Sequence, residues 1–309
     1  MLSRTAENLY WMGRYMERAE CTARLIEMGQ RMTMLPASWS DEEWRSVLTA
    51  TGCLDRVDGD APVTEGAVLR TLMLDPENPA SIRACLDRAR ANGRAERQRL
   101  TREMWEPLNE NWRRLEGMDV ATAERELPAL LDWVKNRAAL FRGAASTSML
   151  RADAYEFLRL GTHVERTEMT LRLLDVKYYV LLPETDAVGG GRDYHQWTSV
   201  LWATSAMRAF HHVYRGDYAP WKIADFLILN RAFPRSVAFC YDEIGRSLDR
   251  LAASHGARRE CHRTAQEMMA ELTDAEMGDL FQEDLHAFIL GAIRTTGRLS
   301  AEIYRAYHF

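Results

Sequence analysis

Two rows of glutamate and arginine carry the chemistry most plainly. Gly13, Glu17, Glu20, Arg24 and Glu27 follow one another at steps of four and three. At about 3.6 residues per turn, such a series falls on one stripe of a helix. Gly161, Glu165, Glu168, Arg172 and Asp175 repeat the series. Glu20 with Arg24, and Glu168 with Arg172, are i,i+4 pairs with the acid first, an orientation that stabilises a helix by ~0.2–0.5 kcal/mol. Glu17 with Glu20, and Glu165 with Glu168, place like charges one turn apart, which costs a similar amount unless a cation stands between them. Arg18 and Arg166 project about 100° away from the glutamates that precede them and so serve other partners.

Three kinds of chemistry fit these rows. The first is a structural ion-pair network that holds two parts of the chain in register, with the proviso that buried pairs are weak evidence for stability. The second is a ligand site: Arg24 or Arg172 would pair with a carboxylate, while Glu17, Glu20, Glu165 or Glu168 would take an ammonium group, with Arg18 and Arg166 beside them. That division of labour suits an amino acid or a peptide. The third is an independent metal-dependent enzyme that uses the paired glutamates as ligands or as acid and base.

Glu283-x-x-His286 resembles the Glu-x-x-His pattern of carboxylate metal sites in helical bundles. Histidine and glutamate are frequent enough here for one such pair to arise by chance, and His286 has no counterpart in the first half. It is a weak metal candidate, and no cofactor is expected. Gly189-Gly190-Gly191 lacks the lysine and following Ser/Thr of a phosphate-binding loop, and no Gly-x-Ser-x-Gly elbow occurs.

The elements that must position these residues are helices. Leu9, Met12, Met16, Ala19, Ala23 and Ile26 form one apolar stripe at helical period. Strand signals are weak throughout, and the chain is rich in Ala, Leu, Met, Arg and Glu. Pro or Gly punctuation near Leu35-Pro36, Asp75-Pro76, Pro79, Pro183 and Pro234 marks helix boundaries. Pro107 follows a helical run from Arg97 to Glu106, so a kink or break is expected there.

Three blocks recur in the same order. Leu9 to Glu27 aligns without gaps on Phe157 to Asp175, Trp44 to Thr51 on Trp197 to Thr204, and Pro79 to Asp87 on Pro234 to Asp242, at offsets of 148, 153 and 155. The growing offset implies short insertions in the second copy, the clearest being Ala187 to Arg192 against Pro36 to Trp39. The expected fold is therefore an all-α helical bundle of two diverged repeats, residues 1–148 and 149–309. They would be related by a pseudo-two-fold and packed as one globular unit.

With 309 residues and 47% apolar content the chain can bury a substantial core. Its 40 basic and 45 acidic residues are interspersed, for a net charge of −5. With no basic block, nucleic acid is excluded as a first partner. The row Arg83, Arg88, Arg90, Arg94, Arg97, Arg99 and Arg102 reads as a solvated face that could also meet an acidic partner. Trp105, Trp112, Trp133 and Trp221 read as core or interface residues. The opening residues are too charged for a signal peptide, and no segment reaches the ~18 apolar residues of a membrane span. A cytoplasmic location follows as the expectation. The five cysteines lie far apart with no Cys-x-x-Cys pair, so they read as reduced and packed.

Met1 to Glu20 (MLSRTAENLYWMGRYMERAE), together with Ser81-Ile82-Arg83, Glu103 to Asn109, Phe157 to Gly161, Glu165-Arg166, Leu173 to Tyr178 and Phe233 to Val237, closely resembles the bacterial alpha-E domain family over nearly the whole chain. Members of that family occur beside, or fused to, a circularly permuted ATP-grasp protein, often with transglutaminase-like proteins nearby. The resemblance implies a helical accessory subunit of an amide- or peptide-bond-forming system. The ATP-grasp partner would activate a carboxylate, and this chain, with no nucleotide-binding loop of its own, would help to hold an amino acid or peptide. A non-catalytic scaffold or interaction module is the remaining alternative.

Overall fold

The computed structural model describes residues 3–34, 40–57, 59, 61–179 and 191–309, and within these the side chains of all but residues 40, 111, 178, 179, 192 and 281–283. Ser3–Met32 forms one unbroken helix, α1, of 30 residues. It contains no proline and is dominated by strong helix formers. The stripe Leu9, Met12, Met16, Ala19, Ala23 and Ile26 is buried, but so are Glu17, Glu20 and Arg24 of the charged stripe beside it. A helix buried on both its apolar stripe and most of its charged one, with a partly exposed strip along Arg4, Asn8, Trp11, Tyr15 and Arg18, lies near the centre of its bundle.

The chain continues through α2 (Ser40–Ala50), a 3-10 turn (Leu54–Arg56), α3 (Glu65–Val68) running into a π-helical segment (Leu69–Leu74), α4 (Ile82–Ala95), α5 (Arg102–Leu115), α6 (Val120–Arg125) and α7 (Leu127–Ser148). A second long helix follows, α8 (Asp153–Tyr179). After it come α9 (Gly191–Ala203), α10 (Met207–Tyr214), α11 (Pro220–Ile228), α12 (Val237–His255), α13 (Glu260–Asp274), α14 (Met277–Glu283) and α15 (Leu285–Tyr307). The protein is all-α, with no strand among the described residues. None of their helices is long and apolar enough to cross a membrane.

The central contact is α1 against α8. Helices α4, α7 and α9 surround the rest of α1, while α12, α15 and α2 surround α8. Two short loops are fixed beside this pair by the caps of the helices they precede. The Ser81 hydroxyl accepts from Ala84 N–H at the start of α4 and donates to Asp75 C=O. Ser236 does the same for Phe239 N–H at the start of α12, donating to Asn230 C=O. Such caps satisfy otherwise orphaned N–H groups of the first turn. Each loop is also tied to a long helix, Ala80 C=O by Thr22 at 3.1 Å and Arg235 C=O by Thr170 at 2.9 Å.

Proline punctuation holds at Asp75-Pro76, Pro79 and Pro234, all in loops. Leu35-Pro36, Pro183 and most of the two compared insertion segments lie outside the described residues. Pro107 does not break a helix. The break comes earlier, between Ala95 and Arg102, and Pro107 sits inside α5. It lies in the second turn, where its missing N–H forfeits only the bond to Glu103 C=O, and exposed Glu103 leaves that carbonyl to water.

Candidate functional site

Glycine sets the distance between the two long helices. A Cβ on Gly161 would overlap the carbonyl oxygen of Tyr10 and stand 2.9 Å from its carbonyl carbon, and one on Gly13 would overlap the carbonyl oxygen of Leu158. With only hydrogen on that face, backbone meets backbone, and the residues one turn further along reach across.

What they make is a reciprocal exchange. Arg18 binds Glu165 bidentately at 2.6 and 2.9 Å, and Arg166 binds Glu17 bidentately at 2.7 and 2.8 Å. Each long helix thus gives its Glu-Arg step to the other. Arg18 also reaches Pro79 C=O at 3.4 Å and Arg166 reaches Pro234 C=O at 3.2 Å. One turn on, Arg24 bonds Glu20 at 2.7 Å and Ala203 C=O at 2.7 Å, while Arg172 bonds Glu168 at 2.9 Å and Ala50 C=O at 2.7 Å.

The like-charged pairs are bridged by guanidinium groups. Arg14 spans Glu165 at 2.6 Å and Glu168 at 2.9 Å. Arg142, from α7, spans Glu17 at 3.1 Å and Glu20. Arg235, from the loop before α12, adds a second bridge, to Glu17 at 3.0 Å and to Glu20. Arg14, Arg142 and Arg235 escape reasoning from spacing because each comes from outside the repeated stripe. Only Arg235 carries a signal, standing where the matched first-half block has Ala80.

Glu17, Glu20 and Glu165 are about 1% exposed, so their charges depend on these partners. Burial raises the Glu165 carboxyl, but Arg14 and Arg18 outweigh it and hold the group at about 2. Burial likewise raises Glu20, and Arg235 with Arg142 and Arg24 brings it to about 2 despite Glu17. Glu17 is driven well below the usual carboxylate range by Arg166, Arg142 and Arg235 against the same burial. Coulomb attraction at these distances exceeds desolvation only because each carboxylate has several charged donors.

A cavity of about 200 Å³ opens on the Glu165 side of the cluster. Glu165, Glu168, Arg18, Arg172 and Ala80 are among the residues that line it. A broader cleft of about 660 Å³ lies behind Arg166, between Arg159, His163 and Glu243. His163 is buried, its Nε2 4.0 Å from Glu243, and its Nδ1 has no hydrogen-bond partner among the described residues. Burial, then Arg166 and Arg159, push its pKa well below the ordinary range, so the ring is neutral.

The other candidates fall elsewhere. Glu27 pairs with Lys135 at 2.8 Å, away from the cluster. His286 lies 2.9 Å from Asp175, while the side chain of Glu283 lies outside the described set. Among the described residues no group of three or more His, Cys, Asp or Glu side chains could hold a metal ion. The arginine row is partly taken up locally: Arg90 lies over Trp112 at 4.2 Å, Arg97 over Trp105 at 5.4 Å and Arg88 over Tyr15 at 5.8 Å. All five cysteines are buried and unbridged.

Comparison with known proteins agrees with this helical, Glu-Arg-centred picture. Uncharacterized proteins of Mycobacterium bovis and of two strains of Mycobacterium tuberculosis are each 22% identical over 280 residues, covering 83% of this chain. The chain spans about 30% of the length of these curated relatives. No solved structure matches. The family model Alpha-E, described as a predicted alpha-helical domain with a conserved ER motif, matches residues 1–308. Covering nearly the whole chain, that match establishes that the protein belongs to the Alpha-E family.

Proposed function

We propose that the chain is a doubled helical unit, residues 1–148 and 149–309, acting as a binding subunit beside a circularly permuted ATP-grasp protein, where it helps to hold an amino acid or peptide for amide-bond formation. The doubling is supported by contacts that correspond one for one. The Glu17–Arg166 and Glu165–Arg18 exchanges correspond, as do the arginine bonds to Ala203 and Ala50, and the threonine bonds to Arg235 and Ala80.

Binding, rather than proton transfer, is supported by the charge states. A general acid or base works best with a pKa near the operating pH. Glu20 and Glu165 are held at about 2 and Glu17 is also depressed, so all three stay ionised near neutrality. The observation that carries the ligand reading is the cavity in which two carboxylates and two guanidinium groups face one small space. Opposite charges at that spacing match a zwitterion. A cytoplasmic site of action suits such a partner.

The test is to mix the protein with the ATP-grasp protein encoded beside it and to follow both co-elution and ATP-dependent amide formation. The expected result is a stable complex whose turnover falls when Glu168→Gln is introduced. Failure to associate, with turnover indifferent to the added chain, would refute the proposal.

A further inference from the structure

The cavity on the Glu165 side has a twin around Glu17, and the twin is filled by this chain itself. Nine residues line the cavity, and the offsets of the three sequence blocks assign each a partner in the other half. Seven of the nine pairs are identical in type. The exceptions are Met169, matched by Cys21, and Ala80, matched by Arg235.

Arg235 shows what the twin accommodates. From the loop before α12 its guanidinium lies 3.0 Å from Glu17 Oε1 and 3.9 Å from Cys21 Sγ, and it also bonds Glu20 Oε1. The other oxygens of Glu17 and Glu20 are taken by Arg142. In the first half Arg14 plays the part of Arg142, taking Oε2 of both Glu165 and Glu168. Among the described residues, their Oε1 atoms receive only Arg18 and Arg172. Where the second half supplies Arg235 as a second bridging fork, the first half has Ala80 and about 200 Å³ of space.

We infer that the cavity lined by Glu165 and Glu168 is a guanidinium seat, taking the head group of arginine or of an arginyl peptide in the place Arg235 supplies on the other side. The inference rests on the doubling proposed above and names the ligand class of that site. The volume is below the ~300–1,000 Å³ of pockets that enclose a whole drug-sized ligand, so it suits a head group and a short stem. A planar fork bridges two carboxylates better than an ammonium point charge, which favours arginine over lysine. The twin also answers the objection that Arg14, Arg18 and Arg172 already outnumber the two carboxylates. On the other side Glu17 and Glu20 are met by Arg24, Arg142, Arg166 and Arg235.

Calorimetric titration of the intact protein with L-arginine, the tripeptide Gly-Arg-Gly, L-lysine and the neutral isostere L-citrulline tests this. Arginine or the tripeptide should bind one to one, with citrulline at least ~10-fold weaker. The tighter of the two arginyl ligands identifies a free amino acid or a peptide as the source. Ala80→Arg, which supplies the fork from within, should abolish binding; if that variant fails to fold, Glu168→Gln should weaken binding at least ~10-fold. Equal binding of citrulline, unchanged binding by a folded Ala80→Arg, or no binding by the unaltered protein would overturn the inference. Methylguanidinium should also raise the melting temperature of Arg235→Ala more than that of the unaltered protein. That rescue without arginine binding would leave the doubling standing and refute the seat. Loss of ATP-grasp association with arginine binding intact would refute only the partnership.

Discussion

Gly161→Ala should destabilise the protein, although the same exchange in an ordinary helix stabilises it by up to ~1 kcal/mol through backbone propensity. The new Cβ would stand 2.9 Å from the carbonyl carbon of Tyr10 and overlap its oxygen. Ordinary carbon–carbon contact is ~3.5–4.0 Å, so α8 must retreat from α1 by at least ~0.6 Å, and further to clear the oxygen. The 2.6 Å bonds from Arg14 and Arg18 to Glu165 would then reach or pass the ~3.2 Å limit of a good hydrogen bond. Overpacking typically costs ~1–3 kcal/mol, and weakening buried pairs adds to that. A net loss of about 3 kcal/mol should lower the melting temperature by roughly 5 °C or more in a chain this long. Gly297, also inside a helix but with nothing near its Cβ position, is the control, and Gly297→Ala should be neutral or stabilising. Urea titration and thermal melts of both variants give the comparison. A Gly161→Ala protein as stable as Gly297→Ala would refute the close-approach reasoning.

Other outcomes follow from the same cluster. Glu17→Gln should cost more than Arg235→Ala, about 3–5 kcal/mol against a smaller loss, because it removes the negative charge that Arg142, Arg166 and Arg235 share and turns one acceptor oxygen into a donor; chemical denaturation ranks the two. Stability should fall as pH drops, since the depressed carboxyls of Glu20 and Glu165 contribute fully above their ordinary 4.5 and lose that contribution on the way to about 2. His163, neutral in the fold, adds an earlier decline that begins below its ordinary 6.5, and melts from pH 8 to pH 3 should show both phases. The Cys85 and Cys240 thiols, pushed to about 12 by burial, should resist alkylation at neutral pH until the protein unfolds, which mass spectrometry after reagent pulses reads directly.

The rows of Glu17, Glu20 and Arg24, and of Glu165, Glu168 and Arg172, are legible from spacing because helical geometry alone puts them on one stripe. The need for a cation between paired glutamates is legible for the same reason. Its source is not. Arg142 lies on α7 and Arg235 in a loop, and only tertiary packing brings either to Glu17. Arg14 is matched by Thr162 at the same offset, so comparing the two stretches gives no hint that it bridges Glu165 and Glu168. The difference between Ala80 and Arg235 is visible in the aligned blocks, yet it acquires chemical meaning only when both are seen beside matching carboxylates. Pro107 departs from the expected break for a local reason: proline is costly deep in a helix but tolerable near its start, and the helix begins at Arg102, after the N-cap residue Thr101, so Pro107 falls in the second turn.

A double-mutant cycle on Glu17, Arg18 and Arg166, read by denaturant unfolding, tests the reciprocal clamp most directly. The bidentate contact across the helices predicts a coupling of about 2 kcal/mol or more between Glu17→Gln and Arg166→Gln. Between Glu17→Gln and Arg18→Gln, neighbours in sequence that serve different partners, it should be much smaller. Strong coupling of Glu17 to Arg18 with none to Arg166 would contradict the exchange on which the site is built.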